Sequence, residues 1–162
     1  MNIKRRLEVM KQIEKANARH IAEWKKAQEE GKMLAVLVDV YGRGRIHTVR
    51  VKDDLDEFYR LLQCATIDMP TRWIGGQEFI VICDDEGLFR EDRKVSARNG
   101  NEIMFFGNLL VVKCAGEGEI RGLYPDEAAH VMRHVAGLGM FTENGRMDIW
   151  EVLTDVSFGE EW

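Results

Sequence analysis

His130 and His134 lie four residues apart, a spacing that sets two imidazoles on one side of a helix and begins a zinc site. Asp126, one turn earlier, can add an oxygen ligand. No glutamate follows His130, so the zinc-protease pattern is not formed. Asp84-Asp85-Glu86-Gly87 offers carboxylates to a divalent cation, but it lacks the alternating ligands and terminal glutamate of a calcium loop and reads as an acidic turn. Cys64, Cys83 and Cys114 are odd in number, far apart and form no CxxC, which reads as reduced thiols in a cytoplasmic protein. Ser96 and Ser157 stand in no nucleophile elbow. Gly42-Arg43-Gly44-Arg45 has a P-loop's glycines without its Gly-Lys-Ser/Thr, and Gly137-Leu138-Gly139 lacks the third glycine of a dinucleotide fingerprint. Trp73 beside Gly75-Gly76 leaves a nucleotide or small-molecule site as one reading. The residues thus assemble no catalytic set, and a non-enzymatic protein with no cofactor and no metal is expected.

Charge is divided along the chain. Residues 1–32 carry nine Lys/Arg and five Glu, a net of +4, whereas residues 126–162 carry two basic and eight acidic residues, a net of −6. The two ends can attract each other, or each can meet an outside partner. Arg43, Arg45, His47, Arg50 and Lys52 make one hairpin basic, but the surrounding domain is acidic and no aromatic residues interleave with them, so direct nucleic-acid binding is not expected. Asp148, Glu151, Asp155, Glu160 and Glu161 form an acidic tail that could imitate phosphates. No apolar run approaches the roughly 18 residues that cross a bilayer. The start, MNIKRRLEVMKQIEK, has no uninterrupted apolar core of a signal peptide, so no membrane association is expected.

The elements that must position these residues follow from periodicity. Ile3, Leu7, Met10, Ile13, Ala16, Ile21, Trp24 and Ala27 recur at three and four residues, predicting one amphipathic helix over residues 3–30 that stops at Gly31. Its stripe packs back on the domain or pairs with a second copy, in which case Asn17 within the stripe sets register. Residues 33–41 and 45–51 predict a β-hairpin, and Asp53 or Asp54 caps a helix over residues 55–62. Ile67 ends a short strand, while Pro70 and Gly75-Gly76 mark loops. Residues 79–83 read as a central strand, 88–101 as irregular, and 102–106 and 109–114 as strands. Residues 116–122 read as a loop before a helix that starts at Pro125 and runs to about residue 135. Residues 146–153 predict a last strand. The expected class is α+β: a small mixed or antiparallel sheet with two or three packed helices, preceded by the long helix. The expected division is a basic helix at 1–32, the α+β domain at 33–136, and an acidic extension at 137–162 with an edge strand.

Two blocks, Ile82-Cys83-Asp84-Asp85-Glu86-Gly87 and Phe106-Gly107-Asn108-Leu109-Leu110-Val111-Val112, together with Asp54-Leu55-Asp56-Glu57-Phe58-Tyr59-Arg60-Leu61-Leu62, carry a resemblance. Over residues 34–135 the chain resembles the bacterial domain of unknown function numbered three-eight-four-six. The resemblance implies a small accessory protein of phages and conjugative elements, mainly of Gram-positive hosts, and it implies no catalytic residues. The long helix and the segment after Gly137 lie outside it. The leading expectation is a protein that binds a host or element protein through Leu7, Met10, Ile21 and Trp24 of the helix and Phe158 and Trp162 of the tail, with a homo-oligomer through the helix as a further expectation. An acidic regulator or decoy in nucleic-acid transactions is the first alternative and a small-molecule or nucleotide-binding domain the second.

Overall fold

A computed structural model describes residues 2–42, 45–99, 102–135, 140–143, 146–149 and 157–158. Asn2 opens helix α1 (Ile3–Glu30): its Oδ1 accepts a hydrogen bond from the Arg5 N–H at 3.0 Å. Gly31 closes α1 in the left-handed region at φ 67°, where a side chain would be strained. Strands β1 (Met33–Asp39) and β2 (Arg45–Val51) then pair antiparallel in register, from Met33 opposite Val51 to Asp39 opposite Arg45. Helix α2 (Leu55–Leu62) is capped by Asp54, whose carboxylate accepts from the Asp56 N–H at 3.0 Å.

Next come β3 (Ile67–Asp68), β4 (Thr71–Ile74), β5 (Gln77–Asp84) and a 3-10 turn at Gly87–Phe89. They are followed by β6 (Val95–Asn99), β7 (Glu102–Phe106), β8 (Leu109–Gly116), β9 (Glu119–Arg121) and helix α3 (Pro125–Val135). The last described elements are β10 (Met140–Glu143), β11 (Arg146–Ile149) and β12 (Ser157–Phe158). The main sheet runs β12-β4-β5-β8-β1-β2, with β3 joined to β5 and β9 to β8, and all its pairs are antiparallel. The protein is α+β.

The apolar runs of β1, β5 and β8 have a direct cause: this sheet is covered on both faces, so neither parity of side chain meets water. One parity, including Leu34, Val36, Val38, Phe79, Val81, Leu109 and Val111, packs with Ala27 of α1 and Ala128, Val131 and Val135 of α3. The other, Ala35, Leu37, Ile80, Ile82, Leu110 and Val112, packs with Phe58 and Leu62 of α2. Val111 stands between Val36 and Val81, and Leu110 between Leu37 and Ile82.

Three strands depart from the sequence reading. Residues 71–74, to which the sequence assigns no element between the loop marks Pro70 and Gly75-Gly76, are strand β4, because Gly75 and Gly76 at φ 55° and 79° form a two-residue hairpin turn onto β5. Arg72 disguised the strand, since a charged residue rarely takes a buried position; it is 7% exposed, with its guanidinium 5.3 Å over the Phe105 ring. Residues 95–99, read as irregular, pair with β7 through a bulged register that breaks simple alternation. Residues 119–121 pair with the end of β8. The strand expected over 146–153 occurs at Arg146–Ile149 and pairs with β10, while the edge pairing with β4 is made by Ser157 and Phe158. Residues 150–153 lie outside the described residues.

Candidate functional site

The base of α1 is anchored. Ala27 is fully buried and Trp24 packs half-buried against the core it shares with α3 and the sheet. Arg50 of β2 donates from Nη1 to Glu23 Oε2 at 2.5 Å, and its Nε lies 3.1 Å from Glu30 Oε1 as an ion-pair contact. His20, beside this base, is held below its usual pKa, first by desolvation and then by neighbouring Arg19.

Beyond that base the helix leaves the body. Every described residue from Asn2 to Lys15 is exposed, as are Asn17, Ala18 and Arg19. Residues 3–19 thus form an arm of roughly 25 Å at 1.5 Å per residue. Ile3 is 75% exposed, Met10 57%, and Leu7 and Ile13 53% each. Ile21 remains 43% exposed nearer the base. Isolated surface leucines are unremarkable, but a row at helical spacing that the described residues leave exposed is an open contact face. Of the residues expected to bind protein, Leu7, Met10 and Ile21 are brought to this one face, whereas Trp24 serves the core. Phe158 is placed by its backbone opposite Arg72 on the β4 edge, and Trp162 lies outside the described residues.

The acidic turn is used internally. Asp84 Oδ1 accepts from the Glu86 N–H at 2.9 Å, and Oδ2 lies 3.3 Å from Arg90 Nη1. Arg90 also donates to the Gln63 carbonyl at 2.5 Å and to both Asp92 oxygens at 2.9 and 3.0 Å, and stacks 4.8 Å over the Tyr41 ring. These bonds, that to Asp92 foremost, hold the Arg90 pKa far above its ordinary value. The knot borders an open cleft of about 470 Å³ lined by Tyr59, Gln63, Cys64, Asp84, Glu86 and Arg90. Its strongest polar groups already satisfy one another. Residues 88–101 alone did not announce Arg90, because its partners besides Asp92 come from three other parts of the chain, at Tyr41, Gln63 and Asp84.

Cys64 and Cys83 carry little thiolate at neutral pH. Burial, reinforced by the nearby Asp84 charge, pushes the Cys64 thiol up to about 11. Burial and Asp68 push Cys83 up to about 12. Ser96 is fully buried, and its hydroxyl has no hydrogen-bond partner among the described residues. His130 Nε2 lies 2.8 Å from the Ile74 carbonyl and its ring is 4.4 Å from that of His134. The two imidazoles do meet, against the Gly75 turn, and among the described residues no group of three or more His, Cys, Asp and Glu side chains could hold a metal ion. Asp126, the third ligand considered, joins no such group.

On the basic hairpin, Arg50 is committed to α1, while His47 and Lys52 are exposed. Arg43, Gly44, Glu151, Asp155, Glu160 and Glu161 lie outside the described residues, as does the Gly137-Leu138-Gly139 segment. Trp73 is half-buried in β4. Leu88 and Phe89, 53% and 80% exposed on the 3-10 turn, are a second apolar feature that sequence periodicity could not isolate from an irregular segment.

Asn108 has a structural role that periodicity alone did not reveal. Its Oδ1 accepts from the Val40 and Tyr41 N–H groups at 2.8 and 3.2 Å, and its Nδ2 donates to the Leu61 carbonyl at 2.9 Å. It therefore locks the turn after β1 to the end of α2. Gly107 before it adopts φ 84°, and a Cβ there would come 3.2 Å from the Tyr41 hydroxyl. The described residues include no helix long and apolar enough to cross a membrane. No curated protein and no solved structure matches the chain. Residues 33–136, well over half the chain, match the profile of the domain of unknown function DUF3846, and the chain belongs to that family.

Proposed function

We propose that this protein is a non-enzymatic binding protein, an accessory factor of a phage or conjugative element that works in the cytoplasm and grips a host or element protein with the arm of α1. The observation that carries this reading is the row of exposed Ile3, Leu7, Met10 and Ile13 on a helix that packs on the described core at its base, through Trp24 and Ala27. Rigid display lowers the entropy lost on binding, because the contact face is formed before the partner arrives. The protonated thiols and the internally satisfied Arg90 knot support a scaffold role for the rest of the fold.

Burying a large apolar side chain contributes about 1.5–3 kcal/mol, against roughly 4–15 kcal/mol lost on association. Four such residues about balance that cost, so the charged borders of the stripe must decide which partner is held. Affinity capture from host lysate with the wild type and with the double variant Leu7→Asp/Met10→Asp tests the reading. A protein retained by the wild type and lost by the variant is expected. Repeated recovery of nothing, or of the same proteins by both, would refute it.

A further inference from the structure

Ile3, Leu7, Met10, Glu14, Asn17 and Ile21 fall alternately four and three residues apart, the spacing of a coiled-coil seam. The positions bordering this seam on the arm are Lys4, Lys11 and Ala18 on one side and Arg6 and Ile13 on the other, all exposed, so every charge among them is positive. A parallel pair of identical helices sets Arg6 against Lys11, and an antiparallel pair sets lysine against lysine. Self-pairing therefore brings cation to cation, whereas carboxylates on the facing helix would pair with all three cations. The arm also lacks the Trp or Phe that anchors an interfacial helix, since Trp24 packs on the protein's own core.

We infer that the occupant of the stripe is an acidic amphipathic helix of another protein, wound on α1 as a two-stranded coil. This rests on the binding-arm reading above and names its partner by chemistry. The polar Glu14 and Asn17 within the seam restrict the registers in which that helix can seat.

The test titrates the full chain with two synthetic helical peptides of identical leucine seam, one bordered by glutamate and one by lysine. Phosphatidylglycerol vesicles, duplex DNA and sedimentation of the chain alone serve as comparisons. The glutamate peptide is expected to bind at least about tenfold more tightly than the lysine peptide, with a preference that shrinks as salt rises. The triple variant Lys4→Glu/Arg6→Glu/Lys11→Glu, shown to be folded by circular dichroism, is expected to reverse the preference. Equal binding of the two peptides, self-association of the chain alone, or tighter binding to vesicles or DNA would each overturn the inference. If neither peptide binds while Leu7→Asp/Met10→Asp still abolishes capture of a lysate protein, the acidic helix is wrong and the binding arm stands. If that variant changes no capture either, both fail.

Discussion

Arg50 on the edge strand β2 holds Glu23 of α1 at 2.5 Å, while the same guanidinium lies 3.1 Å from Glu30 about two turns further along the helix. One cation on the sheet thus spans the anchored part of α1 and fixes the direction in which its arm leaves the body. The pair is about one-third exposed, so its worth is limited by solvent screening.

Replacement of Arg50 by alanine is expected to change global stability little, because solvent screening limits such pairs. The larger effect should be local. Amide hydrogen exchange over residues 20–30 should accelerate, while the β1, β5 and β8 core keeps its protection. Unchanged exchange in that segment would show that Trp24 and Ala27 orient the arm without Arg50.

Asn108 is 1% exposed and makes three hydrogen bonds that join the turn after β1, α2 and the start of β8. Asn108→Ala leaves the buried Val40 donor, the half-buried Tyr41 donor and the Leu61 carbonyl unpaired, and should destabilise by about 2–4 kcal/mol in urea unfolding. Asn108→Asp keeps the acceptor but loses the donor to Leu61, and should cost at least as much because it also buries a charge. A loss below about 1 kcal/mol for the alanine variant would mean that the three groups find other partners.

At Gly75 a Cβ would lie 2.5 Å from His134 and 2.7 Å from His130, at a φ of 55°. Gly75→Ala should therefore destabilise by about 1–3 kcal/mol from strain and crowding together. His134→Ala in the same chain should recover part of the loss, since it removes that ring's crowding but neither the His130 contact nor the backbone strain. Strict additivity of the two substitutions would show that the histidines do not crowd the turn.

The thiols impose an alkaline limit. In the folded chain Cys83 is pushed up to about 12 and Cys64 to about 11 from an ordinary 9.0, so the unfolded chain ionises first as pH rises. Their contribution to stability is whole below that ordinary value and is lost as pH climbs toward the folded values. Cys83 sets a limiting slope of about 1.4 kcal/mol per pH unit. Comparing wild type with Cys83→Val by urea unfolding across this range should show a shallower decline in the variant. Identical slopes would place the Cys83 thiol in water. At neutral pH an alkylating reagent should modify exposed Cys114 first.

The long helix was legible because its apolar spacing and the Gly31 stop agree over 28 residues. The hairpin, α2 and α3 were legible for the same reason: local caps and local periodicity coincide at Asp54 and Pro125. Strand β4 was not, since Arg72 is buried only because Phe105, from a distant strand, lies beneath its guanidinium. Strand β6 was hidden by its bulge. At the candidate site, Leu7, Met10 and Ile21 could be read as one stripe, but periodicity is blind to what covers a stripe.

What the sequence determined by itself is local: which residues form helices, where they are capped, and that one basic helix carries an apolar row at three- and four-residue spacing. Those properties depend on neighbours within a turn or two of the chain. Only the tertiary structure decided how that row is divided, with Trp24 and Ala27 spent on the core and Ile3, Leu7 and Met10 left exposed. The division depends on where α3, β1 and β2 end in space relative to α1, and contacts between segments so far apart in the chain leave no periodic trace in its order of residues.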